Sequence, residues 1–93
     1  MTSSKPLLPS LQEIAGLAPE EALPLLDEYV LLYPEDDEGF TIRGLKHWNL
    51  NHRKEAINDY LTAIRINPKS RAKTALEFEN SVLDFYNKDL LNP

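Results

Sequence analysis

The stretch EAINDYLTAIRINPKS, residues 55–70, decides the fold because it repeats the pattern of EALPLLDEYVLLYPED, residues 21–36. Both segments place apolar residues at helical spacing and reach a proline, which cannot continue a helical hydrogen-bond ladder. A shift of 34 positions aligns Glu21 with Glu55, Ala22 with Ala56, Leu23 with Ile57, Leu26 with Tyr60, Val30 with Ile64, Leu32 with Ile66 and Pro34 with Pro68. A period of this length with helical content indicates helix–turn–helix repeats.

The rest of the chain supplies start and stop signals for an all-α protein of about five helices in an antiparallel helix–turn–helix array. Ser10 and Glu13 fit a capping box, and Asp36 and Ser70 are N-cap residues one period apart. Pro24 lies inside the second predicted helix and should kink it or delay its start. The expected helices are 10–17, 20–33, 37–50, 53–66 and 71–88.

Residues 37–70 resemble a repeat of the tetratricopeptide family. The residues that carry the resemblance are Phe40, Gly44, Ala56, Tyr60, Ala63 and Pro68, at the family's aromatic, small and terminating positions. The segment FYNKDLLNP, residues 85–93, is also similar to the ends of small, uncharacterised bacterial proteins with such repeats. The resemblance implies one good repeat, preceded by a truncated repeat and followed by a C-terminal capping helix.

Close packing gives the repeat its physical basis. Glycine inside a helix lowers stability by about 0.8–1 kcal/mol relative to alanine, so Gly44 needs a packing reason, and we expect it to face Ala56. The chain departs from the family pattern at Arg43, which replaces an apolar residue, and at His47, which replaces an aromatic one. In the truncated repeat Tyr29 replaces a small residue, and Phe78 lies one period after Gly44.

Length and composition predict one helical domain over residues 10–93 after a flexible lead-in at 1–9. The chain contains no cysteine, which fits a reducing compartment, and its longest apolar run is only five residues, so we expect a cytoplasmic protein. The net charge of −5 is unevenly distributed: residues 1–40 are strongly acidic, and residues 41–73 carry eight basic and two acidic side chains. We interpret this asymmetry mainly as charge complementarity within the protein rather than as a binding patch.

No residue pattern indicates catalysis, a cofactor or a metal site. His47 and His52 are five residues apart, so they do not share a helical face as ligands four apart would, and we interpret them as ordinary surface histidines. The segment PEDDEG, residues 34–39, does not begin a calcium-binding loop, because Phe40, Thr41, Ile42 and Arg43 follow Gly39 where such a loop needs alternating oxygen ligands and a final glutamate. The serine, histidine and aspartate residues have no activating context, so we expect no enzyme activity.

A nucleic-acid role is a minor alternative. The basic residues His52, Arg53, Lys54, Arg65, Lys69, Arg71 and Lys73 lie near Trp48 and Tyr60 in the sequence. The chain is nevertheless acidic overall, whereas nucleic-acid-binding domains are usually strongly basic. The composition therefore argues against a nucleic-acid-binding protein.

Protein–protein recognition is the function that the resemblance implies, through the concave surface lined by the first helix of each repeat. The implied groove residues are Thr41, Leu45, Trp48, Asn49, Glu79, Val82 and Leu83. The family positions that grip a C-terminal carboxylate hold Thr41, Ile42, Leu45, Ala72, Ala75 and Leu76 here, so we expect an apolar or aromatic segment of a protein or peptide instead. Trp48 has two interpretations, a groove anchor or a core residue.

The alternative function is self-assembly. On a helical projection of residues 72–90, half of the circumference is apolar, and Phe78, Val82 and Phe85 form a candidate dimer edge. A homodimer through this edge is the second hypothesis, and its test is the mass of the protein in solution.

Overall fold

The computed structural model describes residues 8–79 and is all-helical over that range. Four helices are followed by a fifth helical segment at the end of the described range, and no strand occurs among the described residues. The helices are α1 (Leu11–Ala15), α2 (Pro19–Leu32), α3 (Asp37–Asn49), α4 (Arg53–Ile66) and α5 (72–79). The all-α prediction is confirmed.

Local capping explains where the helices begin. Ser10 and Glu13 form the expected capping box, since each side chain accepts the other's backbone N–H, at 3.2 and 2.9 Å. The Asp36 carboxylate accepts the Glu38 N–H at 3.0 Å, and the Ser70 hydroxyl accepts the Ala72 N–H at 3.1 Å. These side chains satisfy backbone donors that have no partner inside the helix.

The helix boundaries repeat with the period of the sequence. Helices α2 and α4 begin at residues 19 and 53 and end at 32 and 66, so both ends are offset by 34 residues. Pro24 lies within α2, which begins at Pro19, so of the two expected effects the delayed start does not occur. Pro24 has no N–H group, so the Glu20 carbonyl oxygen lacks its usual helical donor.

The side-chain contacts show that consecutive helices run antiparallel. Arg53, at the start of α4, lies over the ring of Trp48, near the end of α3. Gly44, earlier on α3, lies against Tyr60, later on α4. Helix α5 returns alongside α3 in the same direction, because Arg71 pairs with Glu38 at one end. Helices α3 and α5 therefore lie side by side.

Two buried clusters form the core. The first joins α1, α2 and α3 through Ile14, Ala22, Leu26 and Ile42, and the second joins α4 and α5 through Ala56, Tyr60, Ala63 and Ala72. Leu45 is partly buried against both clusters and connects them.

Gly44 makes the predicted close approach, and its nearest neighbour is a ring. A Cβ atom at Gly44 would lie 2.5 Å from Cε1 of Tyr60 and 3.2 Å from the Ala56 carbonyl oxygen. Phe78, one period later, is 67% exposed, so no helix among the described residues approaches it in the same way. The contrast explains why a bulky ring is tolerated at the equivalent position of α5.

The departure from the family pattern at Arg43 has a structural counterpart on α4. The Arg43 guanidinium donates to both carboxylate oxygens of Asp59 at 2.9 and 2.8 Å, and to Asp27 at 3.1 Å. The Asp59 side chain is only 7% exposed, whereas that of Asp27 is 63% exposed. An ionic link thus joins α2, α3 and α4 where the repeat pattern has an apolar residue.

Candidate functional site

A groove of about 660 Å³ lies between α3 and α5. We call it the α3–α5 groove. It is lined by Thr41, Leu45, Trp48 and Asn49 from α3, and by Arg71, Thr74, Ala75, Phe78 and Glu79 from α5 and the residue before it. The parallel course of the two helices produces this arrangement, since residues three or four apart on each helix face the gap between them.

Trp48 serves both the core and the groove. Its side chain is half-buried and packs against the cluster formed by α4 and α5, and it also lines the α3–α5 groove. The Arg53 guanidinium carbon lies 5.1 Å from the centre of the Trp48 ring, within the range of a cation–π contact. The two interpretations of Trp48 are therefore compatible in the described structure.

The carboxyl group of Glu79 is buried at the edge of the groove. The residue is 4% exposed, and its Oε2 accepts a hydrogen bond of 2.8 Å from the Tyr60 hydroxyl. Its Oε1 has no hydrogen-bond partner among the described residues. Burial raises the pKa of Glu79 above its usual value, and the Tyr60 hydrogen bond opposes that rise.

A second cavity of about 380 Å³ lies between α1 and α3 and meets the α3–α5 groove at Arg71. The Arg71 guanidinium donates to both carboxylate oxygens of Glu38, and the arginine is exposed. Leu11, Ala15 and Ile42 provide the apolar part of this second cavity. The ion pair thus separates two apolar hollows on the face formed by α1, α3 and α5.

The structure brings together every predicted groove residue that it describes. Thr41, Leu45, Trp48, Asn49 and Glu79 all line the α3–α5 groove. The predicted groove residues Val82 and Leu83 lie outside the described residues, as does Phe85 of the candidate dimer edge.

Four residues that line the groove are absent from the set implied by the sequence. They are Arg71, just before α5, and Thr74, Ala75 and Phe78 on α5, of which the sequence places Phe78 at the dimer edge. The spacing of these residues at three and four positions is a signal that identifies one face of a helix. Only the packing of α5 against α3 in the structure shows that this face lines the α3–α5 groove.

Thr41 has a structural role within the groove wall. It is 1% exposed, and its hydroxyl donates to the Asp37 carbonyl oxygen at 2.9 Å. Its oxygen also lies 3.2 Å from the Ser70 hydroxyl, which caps α5. Thr41 therefore fixes the spacing of α3 and α5 and offers little polar surface to a ligand.

Several charges of the basic middle segment are engaged within the protein. Arg43 pairs with Asp27, and Arg71 pairs with Glu38, so both link the basic segment to the acidic first part of the chain. Tyr60 is fully buried and thus unavailable for stacking on a base. These contacts favour charge complementarity within the protein over a nucleic-acid interface.

His47 and His52, interpreted from the sequence as ordinary surface histidines, lie with their rings facing each other. Their Nδ1 atoms are 3.1 Å apart, and their ring centres are 5.3 Å apart. His52 lies at the N-cap of α4, beyond the end of α3, so helical spacing does not apply to the pair. The turn between the helices brings the two rings together.

Within residues 8–79, no three histidine, cysteine, aspartate or glutamate side chains are grouped so that they could hold a metal ion. None of the helices described in that range is long and apolar enough to cross a membrane.

The α3–α5 groove offers an apolar and aromatic surface with a buried carboxyl group and an arginine at its edges. Comparisons with protein-family models, with curated proteins and with solved structures found no match to this chain.

Proposed function

We propose that the protein is a non-catalytic recognition module that binds a protein or peptide segment in the α3–α5 groove, as its resemblance to tetratricopeptide repeats implies. The observation that carries the proposal is the groove itself, which collects the predicted residues of α3 with the first residues of α5. A cytoplasmic location is part of the proposal, in keeping with a chain that has no cysteine.

The lining of the groove indicates an apolar or aromatic ligand side chain. Trp48 and Phe78 provide two rings, and Leu45 and Ala75 provide aliphatic surface between them. Aromatic residues at the centre of an interface commonly supply much of the binding energy. Arg71 is engaged with Glu38, so its charge is not free to grip a terminal carboxylate.

A peptide library displayed on phage and selected against the intact chain tests this proposal. We expect enriched peptides to share a large apolar or aromatic residue and to lose binding to Phe78→Ala. Leu61→Ala is the matched control, because Leu61 is an exposed apolar residue, at 51%, on α4 and does not line the α3–α5 groove. Equal binding by the two variants, or selected peptides without an apolar residue, would contradict the proposal.

The fluorescence of the single tryptophan gives a second measurement on the same site. Because Trp48 is half-buried, we expect an emission maximum between those of a buried and a fully hydrated indole. A selected peptide should shift this maximum to the blue by covering the exposed part of the ring. No shift at saturation would show that the peptide binds away from the α3–α5 groove.

Self-assembly is a second candidate function, favoured by the exposure of Phe78. This ring is 67% exposed, and large exposed apolar groups are often covered in an assembly. Sedimentation of the wild type at high micromolar concentration, beside Phe78→Glu combined with Phe85→Lys, tests the dimer. A monomeric wild type would eliminate this candidate without affecting the peptide-binding proposal.

A further inference from the structure

The turn between α3 and α4 brings two imidazole rings together with their Nδ1 atoms facing each other. The His47 carbonyl oxygen accepts the N–H groups of Leu50 and His52, at 3.1 and 2.8 Å. Asn51 completes the turn with a positive φ of 66°, which asparagine tolerates better than most residues. Backbone hydrogen bonds therefore hold the backbones of His47 and His52 close together independently of their side chains.

The separation of the two rings matches that of two ligands on one metal ion. With metal–nitrogen bonds of about 2.0–2.1 Å, neighbouring ligands are about 3.3–3.4 Å apart in a tetrahedral site and about 2.8–3.0 Å apart in a square-planar one. The observed Nδ1–Nδ1 distance of 3.1 Å lies between these values. Imidazole nitrogens are good ligands for zinc, copper and nickel.

From this geometry we infer that His47 and His52 form a two-histidine chelate for a divalent transition-metal ion such as Zn²⁺ or Cu²⁺. Water completes the coordination shell on the exposed side of the turn. This site is separate from the proposed peptide groove, and neither depends on the other.

The cationic side chains directly next to His47 and His52 in the sequence, Lys46 and Arg53, are engaged away from the two rings. The Lys46 ammonium donates to the carbonyl oxygens of Ala15 and Leu17, both at 2.7 Å, and so closes the end of α1. Arg53 lies over the Trp48 ring. The carbonyl end of α3 attracts a cation and the N–H end of α4 repels it, so the helix dipoles at this turn largely cancel.

Metal binding requires a change of tautomer in one ring and a rotation of both rings, because the two Nδ1 atoms face each other almost head-on and must turn toward a common point beside them. In the neutral pair, one Nδ1–H donates to the Nδ1 lone pair of the other ring. The metal ion takes both Nδ1 lone pairs, so the donating ring carries its hydrogen on Nε2 in the bound state. The number of protons is unchanged, and neither ring is needed elsewhere, because His52 makes no side-chain capping bond.

Titration with Cu²⁺ at neutral pH, followed by the fluorescence of Trp48, tests this inference. Trp48 is the only tryptophan and follows His47 directly, so a bound Cu²⁺ should quench it in a one-site titration. Zn²⁺ added before the titration should raise the Cu²⁺ concentration needed for half-quenching, because both ions take the same ligands; full reversal of the quenching by Zn²⁺ is not expected, since Cu²⁺ binds nitrogen ligands more tightly. An unchanged Cu²⁺ midpoint, at a Zn²⁺ concentration that saturates the protein in calorimetry, would overturn the shared site.

Single substitutions then identify the ligands. His47→Gln and His52→Gln should each weaken metal binding at least about tenfold. Each variant keeps only one imidazole, whereas in the wild type the second imidazole is held close to the ion at a high effective concentration. Lys54→Gln is the matched control, an exposed neighbour that should retain wild-type affinity. Wild-type affinity in either histidine variant would overturn the chelate, and unchanged circular dichroism in all three would exclude unfolding as the cause of any loss.

Discussion

The hydroxyl of Tyr60 donates a hydrogen bond of 2.8 Å to Oε2 of Glu79, and both residues are buried where α4 meets α5. The bond joins the second core cluster to the α3–α5 groove. It stabilises the charged form of Glu79, but burial outweighs it and raises the pKa of Glu79 above its usual value of 4.5. The stability of the protein should therefore depend on the ionisation of this carboxyl group.

Glu79→Gln should remove one component of the pH dependence of stability. Because the pKa of Glu79 is higher in the folded than in the unfolded state, the folded state binds the proton more tightly. The stabilisation that comes from protonation of Glu79 is complete below pH 4.5 and is lost as the pH rises through the folded-state pKa of Glu79. The wild type should thus lose stability relative to Glu79→Gln as the pH rises from about 4 to neutrality.

Urea unfolding at a series of pH values measures this difference. Glu28→Gln is the control, since Glu28 is exposed on α2 and should give a difference from the wild type that varies little with pH. Tyr60→Phe should lower stability at neutral pH by about 1–3 kcal/mol, because it leaves Oε2 of Glu79 buried without its donor. A constant offset between wild type and Glu79→Gln across the pH range would disprove the linkage.

Helix limits were predictable from the sequence because their causes are local. The capping box at Ser10 and the caps at Asp36 and Ser70 depend on residues three positions away or fewer, and the structure confirms all three. The contact between Tyr60 and Glu79 depends instead on how α5 packs on α4. No pattern in one copy of the repeat specifies that register, so the buried state of Glu79 was not predictable.

The α3 side of the candidate site could also be predicted from the sequence. Trp48 and its neighbours on α3 follow from the register of the repeat, which is a one-dimensional property of the sequence. The contact between His47 and His52 depends on a turn with one residue at positive φ, and helical periodicity contains no information about such a turn. Short loops between helices are therefore the part of this fold that sequence patterns describe least.

Gly39 and Tyr29 should show a strong coupling. A Cβ atom at Gly39 would lie 2.8 Å from two carbons of the Tyr29 ring, and the Tyr29 hydroxyl is anchored by a hydrogen bond of 2.5 Å to Asp36. Gly39→Ala should therefore destabilise the wild type by about 1–3 kcal/mol through overpacking. In a Tyr29→Ala background the same change should stabilise the protein, by up to about 1 kcal/mol of helix propensity.

A double-mutant cycle from thermal or urea unfolding measures this coupling. The expected result is a change of sign, since the clash disappears with the ring and only the preference of alanine for the helix remains. If Gly39→Ala has the same effect in both backgrounds, the ring of Tyr29 is not what requires a glycine at this position.

Gly44 should tolerate no side chain at all. Its nearest neighbour is the Tyr60 ring, which is fully buried and held by Glu79, so the ring has no free space into which to move. Gly44→Ala should lower the free energy of unfolding by about 1–3 kcal/mol in spite of its better helix propensity, and Gly44→Leu should lower it further. Gly16→Ala is the control, because a Cβ there would meet only one atom, at 3.6 Å. Equal stability of the Gly44 variants and the wild type would contradict both the close approach and the repeat register.

The buried ion pair between Arg43 and Asp59 should be costly to break by removing Arg43 and much less costly to replace by two apolar residues. Arg43→Met leaves the Asp59 carboxylate buried without its partner, so we expect a loss of about 3–5 kcal/mol of stability. Asp27→Asn should lose less than about 1 kcal/mol, because that carboxylate is largely exposed to water. The double variant Arg43→Met with Asp59→Leu should recover much of the loss, since apolar side chains of similar size remove the buried charge together with its partner. Urea unfolding of the four proteins gives the comparison, and a double variant no more stable than Arg43→Met alone would show that the pair holds α3 and α4 in register by its geometry, not only by cancelling charge.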